Sequence, residues 1–169
     1  TGYFDSPTLP IGTFTLTNAG GGNYDLLVAK YDTNGNILWA KKVGGTDGEG
    51  GYGIAVDPTG NVYVTGYFSS SLIFFGSGAL TNSIFSANFF ILKYNSNGTE
   101  LWGATAASGN SGYGLGVSTD ASGNIYVTGY FASSTITFGS YTLFNYGGWD
   151  IFLLKFDAIG NVLWAKREG

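Results

Sequence analysis

An internal repeat constrains this chain more than anything else in it. Asn124-Ile125-Tyr126-Val127-Thr128-Gly129-Tyr130-Phe131 returns almost unchanged at Asn61 to Phe68, and its second half stands at Thr1-Gly2-Tyr3-Phe4. Counted from Thr-Gly-Tyr-Phe, the copies start at 1, 65 and 128 and cover 1–64, 65–127 and 128–169, a period of 63–64 residues. Self-similarity at such a period marks a repeat architecture, in which each unit buries its apolar faces against its neighbours.

Four strand-like segments recur within the period. Segment A is Gly53 to Val56 and again Gly114 to Val117, and segment B is the Asn61 and Asn124 stretch with its tail at Thr1 to Phe4. Segment C is Leu26 to Tyr31, Phe89 to Tyr94 and Ile151 to Phe156. Segment D is Ile37 to Lys41, Glu100 to Gly103 and Val162 to Lys166, with Trp39, Trp102 and Trp164 at matching places. The A–B and C–D connections share one formula, seen in Asp57-Pro58-Thr59-Gly60-Asn61, Asp120-Ala121-Ser122-Gly123-Asn124, Asp32-Thr33-Asn34-Gly35-Asn36, Asn95-Ser96-Asn97-Gly98-Thr99 and Asp157-Ala158-Ile159-Gly160-Asn161. Asp or Asn opens a type I turn by accepting from backbone N–H groups ahead of it, and Gly supplies the left-handed residue that restores the strand twist. Each such element reads as a tight β-hairpin. Between B and C, the run Thr135 to Leu143 reads as an extra hairpin turning at Gly139-Ser140.

Segment B alternates apolar and polar residues, while segment C is apolar at nearly every position, as in strands covered on both sides. Four-stranded antiparallel sheets stacked face to face meet that requirement, which predicts an all-β fold, a β-propeller built of such blades. Composition agrees: 17% aromatic residues, 29 glycines and only 11% charged residues suit many short strands joined by tight turns and exclude disorder. The strand count is B-C-D, A-B-C-D, A-B-C-D, about 2.7 blades where closed rings need roughly four to eight. The chain is therefore expected to complete its ring with further blades, from a longer parent chain or from other subunits, with the parent chain favoured. The absence of an initiator Met leads to the same expectation of an excised or processed piece.

Gly-Asn-x-Tyr-Val-Thr-Gly, Asp-x-Phe-x-x-Lys-Tyr/Phe-Asp and Gly-Asn-x-Leu-Trp-Ala-Lys resemble the bacterial β-propeller repeats labelled SBBP, and the resemblance covers essentially the whole chain. It implies a propeller and a place in large secreted or cell-surface bacterial proteins. It implies no catalytic motif. The second copy departs from the pattern at Asn88, where the others have Asp25 and Asp150, and at Gly103, where they have Ala40 and Ala165.

Several function classes are excluded by residue type. A net charge of −4 with seven scattered basic residues offers no patch for nucleic acid or anionic membranes, and no apolar run reaches the roughly 18 residues that a spanning helix needs. Without Cys there is no disulfide or thiolate metal site, and without His and Cys the usual bases and strong nucleophiles are missing, so no enzyme, catalytic residue or cofactor is expected. The Asp/Asn turns lack the closing bidentate carboxylate of a calcium loop, so no metal site is expected there. Asp47 and Glu49 form a close acidic pair in the loop 44–51, whose counterpart 106–112 has no acid, and they read as a solvated glycine loop. Lys30, Lys93 and Lys155 repeat inside segment C, as donors facing a ligand channel or, more simply, as charges that pair with carboxylates or reach water. Asn97-Gly98-Thr99 fits an N-glycosylation acceptor at a turn tip.

Aromatic residues are the remaining lead. Tyr52, Tyr113, Tyr126 and Tyr130 read as packing between blades, but Tyr141, Phe144, Tyr146 and Trp149 crowd the third B–C connection, where loops on a rigid scaffold carry binding. With Asn145 and Asp150 nearby, they are the candidate ligand-binding residues. The leading expectation is a non-catalytic structural or adhesive module, extracellular or on the cell surface, presenting loops to protein or surface partners. The alternative is a glycan-binding propeller that uses those aromatic loops.

Overall fold

In the computed structural model the described residues are 1–20, 22–83, 86–107 and 111–169, and they form 17 strands. The first group is β1 (Gly2–Phe4), β2 (Thr8–Ile11), β3 (Phe14–Thr17), β4 (Asp25–Tyr31) and β5 (Ile37–Val43). The second is β6 (Glu49–Val56), β7 (Val62–Phe68), β8 (Leu72–Phe75), β9 (Gly78–Thr81), β10 (Asn88–Tyr94) and β11 (Glu100–Thr105). The third is β12 (Gly112–Thr119), β13 (Ile125–Phe131), β14 (Thr135–Phe138), β15 (Tyr141–Phe144), β16 (Asp150–Phe156) and β17 (Val162–Glu168).

Antiparallel pairing yields sheets ordered β1-β4-β5, β6-β7-β10-β11 and β12-β13-β16-β17, plus the hairpins β2-β3, β8-β9 and β14-β15. Segments A to D are thus neighbours in chain order, and the extra hairpin occurs in every copy. The first sheet has no A strand beside β1 among the described residues. One register differs from the sequence reading. Gly51 pairs Gly66 and Gly53 pairs Thr65, so Tyr52 is the extra residue of a β-bulge; in the next sheet Gly114 pairs Gly129 and Gly116 pairs Thr128, which makes Leu115 the extra residue. Gly53 therefore corresponds to Gly116 rather than Gly114, and Tyr113 corresponds to Gly50.

All five turns close alike. In each, the Asp or Asn side chain accepts from the N–H groups two and four residues on, at 2.8–3.0 Å. The glycine that follows has φ between +78° and +92°. In the four Asp turns, the Asn four residues on, immediately before the next strand, donates to the second carboxylate oxygen.

Two apolar layers join the three sheets. Leu26, Val28, Trp39 and Val43 of the first sheet meet Val64, Phe68, Phe90, Leu92 and Tyr94 of the second. On the other side of the second sheet, Tyr63, Phe89 and Ile91 meet Val127, Phe131, Phe152, Leu154 and Phe156 of the third. Burial of each such large side chain contributes roughly 1.5–3 kcal/mol. The hairpins wedge into these seams: Ile73, Phe75 and Leu80 enter the first layer and Ile136, Phe138 and Leu143 the second. β8 also bridges to Gly44 after β5, as Ala107 N–H after β11 donates to Thr137 of β14 at 2.8 Å.

The two copy-two departures have local causes. Asp25 pairs with Lys42 at 3.4 Å and Asp150 with Arg167 at 2.8 Å, whereas the residue at that place beside Asn88 is Thr105, which donates to the Phe89 carbonyl at 2.5 Å. Losing the cation and losing the anion go together. At Gly103 a Cβ would stand 2.7 Å from Leu92 Cδ2 and from Phe75 Cζ.

The seams also hold a repeated polar latch. Trp39 Nε1 and Lys30 Nζ both donate to the Ser96 carbonyl, at 3.1 and 3.0 Å, and one seam further Trp102 Nε1 and Lys93 Nζ both donate to the Ala158 carbonyl, at 3.4 and 2.9 Å. The indole of each sheet thus lies under the C–D turn of the next. A Cβ on Gly98 would stand 2.8 Å from Trp39 Cδ2, whereas one on Gly35, with a similar positive φ, would meet nothing within 4 Å. Gly35→Ala should therefore cost only the left-handed strain, about 1–2 kcal/mol, and Gly98→Ala about 1–3 kcal/mol more for overpacking the indole. Urea unfolding of dilute protein measures the difference; equal losses would mean that the turn does not bear on Trp39.

Candidate functional site

Each sheet has two kinds of end. The Asp/Asn turns close one; the B–C connections and the loops from D to the next A lie at the other. At that second end the last residue but one of B is always tyrosine: Tyr3, Tyr67 and Tyr130. Tyr113 pairs directly across from Tyr130, so their side chains share a face. The result is a run of rings across the seam between the second and third sheets. Tyr52 lies 5.7 Å from Tyr67, Tyr67 lies 5.2 Å from Tyr113, and Tyr113 lies 5.1 Å from Tyr130. Trp149 closes the run edge-on to Tyr130 at 4.8 Å, with Tyr113 at 6.0 Å. Tyr3 and Tyr24 form a separate edge-on pair at 4.9 Å.

The run is part covered and part open. Burial, then the neighbouring Tyr52 and Tyr113, push the Tyr67 hydroxyl up to about 12, so it stays a protonated donor at any ordinary pH. Tyr52 and Trp149 are 46% and 56% exposed. Such rings offer flat apolar faces with hydroxyl and indole donors at their edges, a surface suited to stacking and hydrogen bonding.

The four residues singled out in the third B–C connection are dispersed by the fold. Trp149 joins the tyrosine run. Tyr146 is 81% exposed and carries the Arg167 guanidinium 4.6 Å above its ring. Tyr141 donates to the Leu163 carbonyl at 2.6 Å, which ties β15 to β17, and Phe144 stands exposed at the end of β15. Asn145 and Asp150 shape the connection itself: Asn145 donates to the Phe131 and Gly148 carbonyls at 3.0 and 3.1 Å, and Asp150 accepts from Tyr146 N–H at 3.3 Å. Tyr67, Tyr113 and Tyr130 were read in sequence as packing alone or passed over; the signal was the tyrosine of Thr-Gly-Tyr-Phe recurring at a strand end.

The acidic pair is also split. Asp47 is exposed, in keeping with a solvated loop, but Glu49 opens β6 and is 0% exposed, so the sequence reading is corrected there. Glu49 accepts from Gly45 N–H at 2.9 Å and Ser70 N–H at 3.2 Å, fixing the crossing from the first sheet to the second. Residues 108–110 of the acid-free counterpart loop lie outside the described residues. Lys30 and Lys93 end on turn carbonyls of the next sheet, neither in a channel nor on a carboxylate, and Lys155 lies over the Tyr126 ring. Asn97 is exposed at its turn tip.

Acids in the turns are held ionised. Burial alone would raise Asp57, but donation from Asn61, Thr59 and Tyr63 outweighs it and holds the carboxyl at about 2. In Asp32, Asp120 and Asp157 the side-chain bond from the Asn four residues on leads the lowering. Glu49 goes the other way: burial, opposed by bonds from Ser70 and Gly45 and reinforced by the Asp25 charge, raises it from 4.5 to about 7. Lys42 faces Asp25 and draws part of that field.

Residues 38–70 match the family described as a beta-propeller repeat, SBBP, which supports the repeat family. The chain is 32% identical over 162 residues to an uncharacterized WD repeat-containing protein of Acanthamoeba polyphaga mimivirus, an alignment covering 86% of this chain and 12% of that protein. It is 31% identical over 142 residues to the regulatory protein FlaEY of Caulobacter vibrioides, covering 83% of this chain and 15% of that protein. The chain thus spans a small part of either relative. The all-β sheets and the repeat match agree with a β-propeller repeat.

Because the folded Glu49 holds its proton to higher pH than the unfolded chain, its contribution is fully present below about pH 4.5 and is lost as pH rises through about 7. Glu49→Gln should remove this downward slope from the pH–stability curve. Unfolding midpoints between pH 4.5 and 8 test it, and an unchanged slope in the variant would contradict the burial of Glu49.

Proposed function

We propose that this chain is a non-catalytic β-propeller module whose sheets are blades of a larger ring and whose aromatic end serves as an interaction surface for protein partners. The carrying observation is the tyrosine–tryptophan run, built across a seam around Tyr67 and Tyr130 at the repeated end of B and left open at Tyr52 and Trp149. The repeat match and the WD-repeat name of one relative support an interaction scaffold. The carboxylates favour a non-catalytic reading as well. Asp32, Asp57, Asp120 and Asp157 build turns, Asp25 and Asp150 pair with Lys42 and Arg167, and Glu49 pins a crossing. A place outside the cell or on its surface, with an adhesive role, belongs to this proposal through the sequence resemblance.

The second reading is a lectin-like one, favoured by the exposed indole of Trp149 beside tyrosine hydroxyls, since sugar rings stack on such faces. A glycan array with the wild-type chain and Trp149→Ala separates the two. Protein recognition predicts no reproducible glycan signal; a signal that disappears in Trp149→Ala would replace it with the lectin reading.

A further inference from the structure

The tyrosine run begins on a strand that has neighbours on both sides. β6, which carries Tyr52, packs against β1 and β4 of the first sheet and against β12 of the third. A Cβ on Gly51 would stand 2.5 Å from Leu26 Cδ1, and one on Gly53 would stand 2.9 Å from the Leu115 carbonyl oxygen. The strand therefore has no room for side chains next to Tyr52. The bulge aims the Tyr52 ring away from these contacts and beside Tyr67, where it is 46% exposed. Tyr52 and Tyr67 both belong to the second sheet, so their exposure does not depend on the outer faces of the first and third.

The hydroxyls of the run differ from those that hold the fold together. Tyr63 donates to Asp57 at 3.0 Å, Tyr126 to Asp120 at 3.1 Å and Tyr141 to the Leu163 carbonyl at 2.6 Å. Among the described residues, the hydroxyls of Tyr52, Tyr67, Tyr113 and Tyr130 and the indole N–H of Trp149 have no such acceptor. Burial holds the hydroxyls of Tyr52, Tyr67 and Tyr113 above their ordinary range, so they remain donors at any ordinary pH. Beside them the exposed Asp47 precedes Gly48, whose Cβ direction meets the Tyr67 hydroxyl at 3.8 Å. Three cavities among the described residues are lined without any ring of the run, which is a shelf and not a pocket.

We propose that this shelf takes a proline-rich segment of a partner protein, in the extended polyproline conformation and with a basic residue at one end. The inference rests on the protein-partner reading above and names the chemistry of that partner. Polyproline has no internal hydrogen bonds and proline has no N–H, so such a segment brings free carbonyl acceptors to a surface of unused donors. Its preformed backbone and flat rings suit aromatic surfaces. The first two steps of the run, 5.7 and 5.2 Å, span at most about 11 Å, comparable with the roughly 9 Å of one polyproline turn. A docked helix would need an apolar groove and has its own carbonyls already bonded, which would leave the hydroxyls unmatched. Asp47 and the net charge of −4 favour a basic flank over an acidic or phosphorylated one.

Fluorescence anisotropy of a labelled peptide of about ten prolines ending in arginine, titrated with the full chain, tests this. Binding is expected, weakened roughly two- to tenfold by Tyr52→Phe, which removes one hydroxyl and keeps the ring. Tyr113→Ala, which removes a ring, should weaken it by about tenfold or more, and Asp47→Asn should make it less sensitive to salt. An alanine-rich helical peptide with the same arginine is the control, alongside the glycan array. A proline peptide that does not bind, or that binds Tyr52→Phe and Tyr113→Ala as tightly as the wild type, overturns the inference. If the helical peptide binds instead and Tyr113→Ala abolishes that, the protein-partner reading stands without it. A Trp149-dependent glycan signal with neither peptide bound overturns both.

Discussion

The contact on which the rest of the structure depends is the latch in which one turn carbonyl of a sheet takes both the indole N–H and the lysine ammonium of the sheet before it. Area burial is non-directional and nearly indifferent to which polar groups end up facing each other. A directional, charge-assisted bond to one carbonyl is not. It fixes the turn glycine over the indole ring, Gly98 on Trp39 and Gly160 on Trp102. The same glycine thus serves two demands, a left-handed backbone and room for an aromatic ring, which explains why the C–D turn and the D-strand tryptophan recur together.

Local chemistry was readable in the sequence, and non-local chemistry was not. The five turns, the hairpins and the A-to-D order follow from Asp/Asn-x-x-Gly spacing and from apolar alternation, both of which act within a few residues. The bulges at Tyr52 and Leu115 did not show, because the Tyr-Gly pair at 52–53 and 113–114 suggests a match that ladder pairing overrides. Glu49 reads as a solvated loop acid because Ser70, whose N–H it accepts from inside the protein, lies 21 positions away. Lys30 and Lys93 read as charges bound for a carboxylate, water or a ligand channel because their true acceptors are backbone carbonyls more than 60 positions along. At the aromatic end the third B–C connection stands out by its density of rings, yet of those rings only Trp149 joins the run; Tyr67 and Tyr130 come from the repeated end of B, Tyr52 from a bulge and Tyr113 from a position where the preceding copy has Gly50.

Repeated and varied chemistry occupy opposite ends of the sheets. The turn end carries ionised, hydrogen-bonded aspartates and the latches, and it has little freedom to change without loosening a seam. The opposite end holds the connections that vary between copies: glycines in the first, and Tyr146, with Arg167 over its ring, and Trp149 in the third. A rigid stack with variable loops at one end can acquire partners by changing those loops alone, as expected of a repeat scaffold.

The most direct test of the latch is the hydrogen exchange of the four indole N–H groups, followed by NMR in dilute protein carrying labelled tryptophan. The account predicts slow exchange at Trp39 and Trp102, whose N–H groups donate across seams, and fast exchange at Trp164, whose seam is open. Uniformly fast exchange at all three would contradict it, since the sheets would then be held by apolar contact alone.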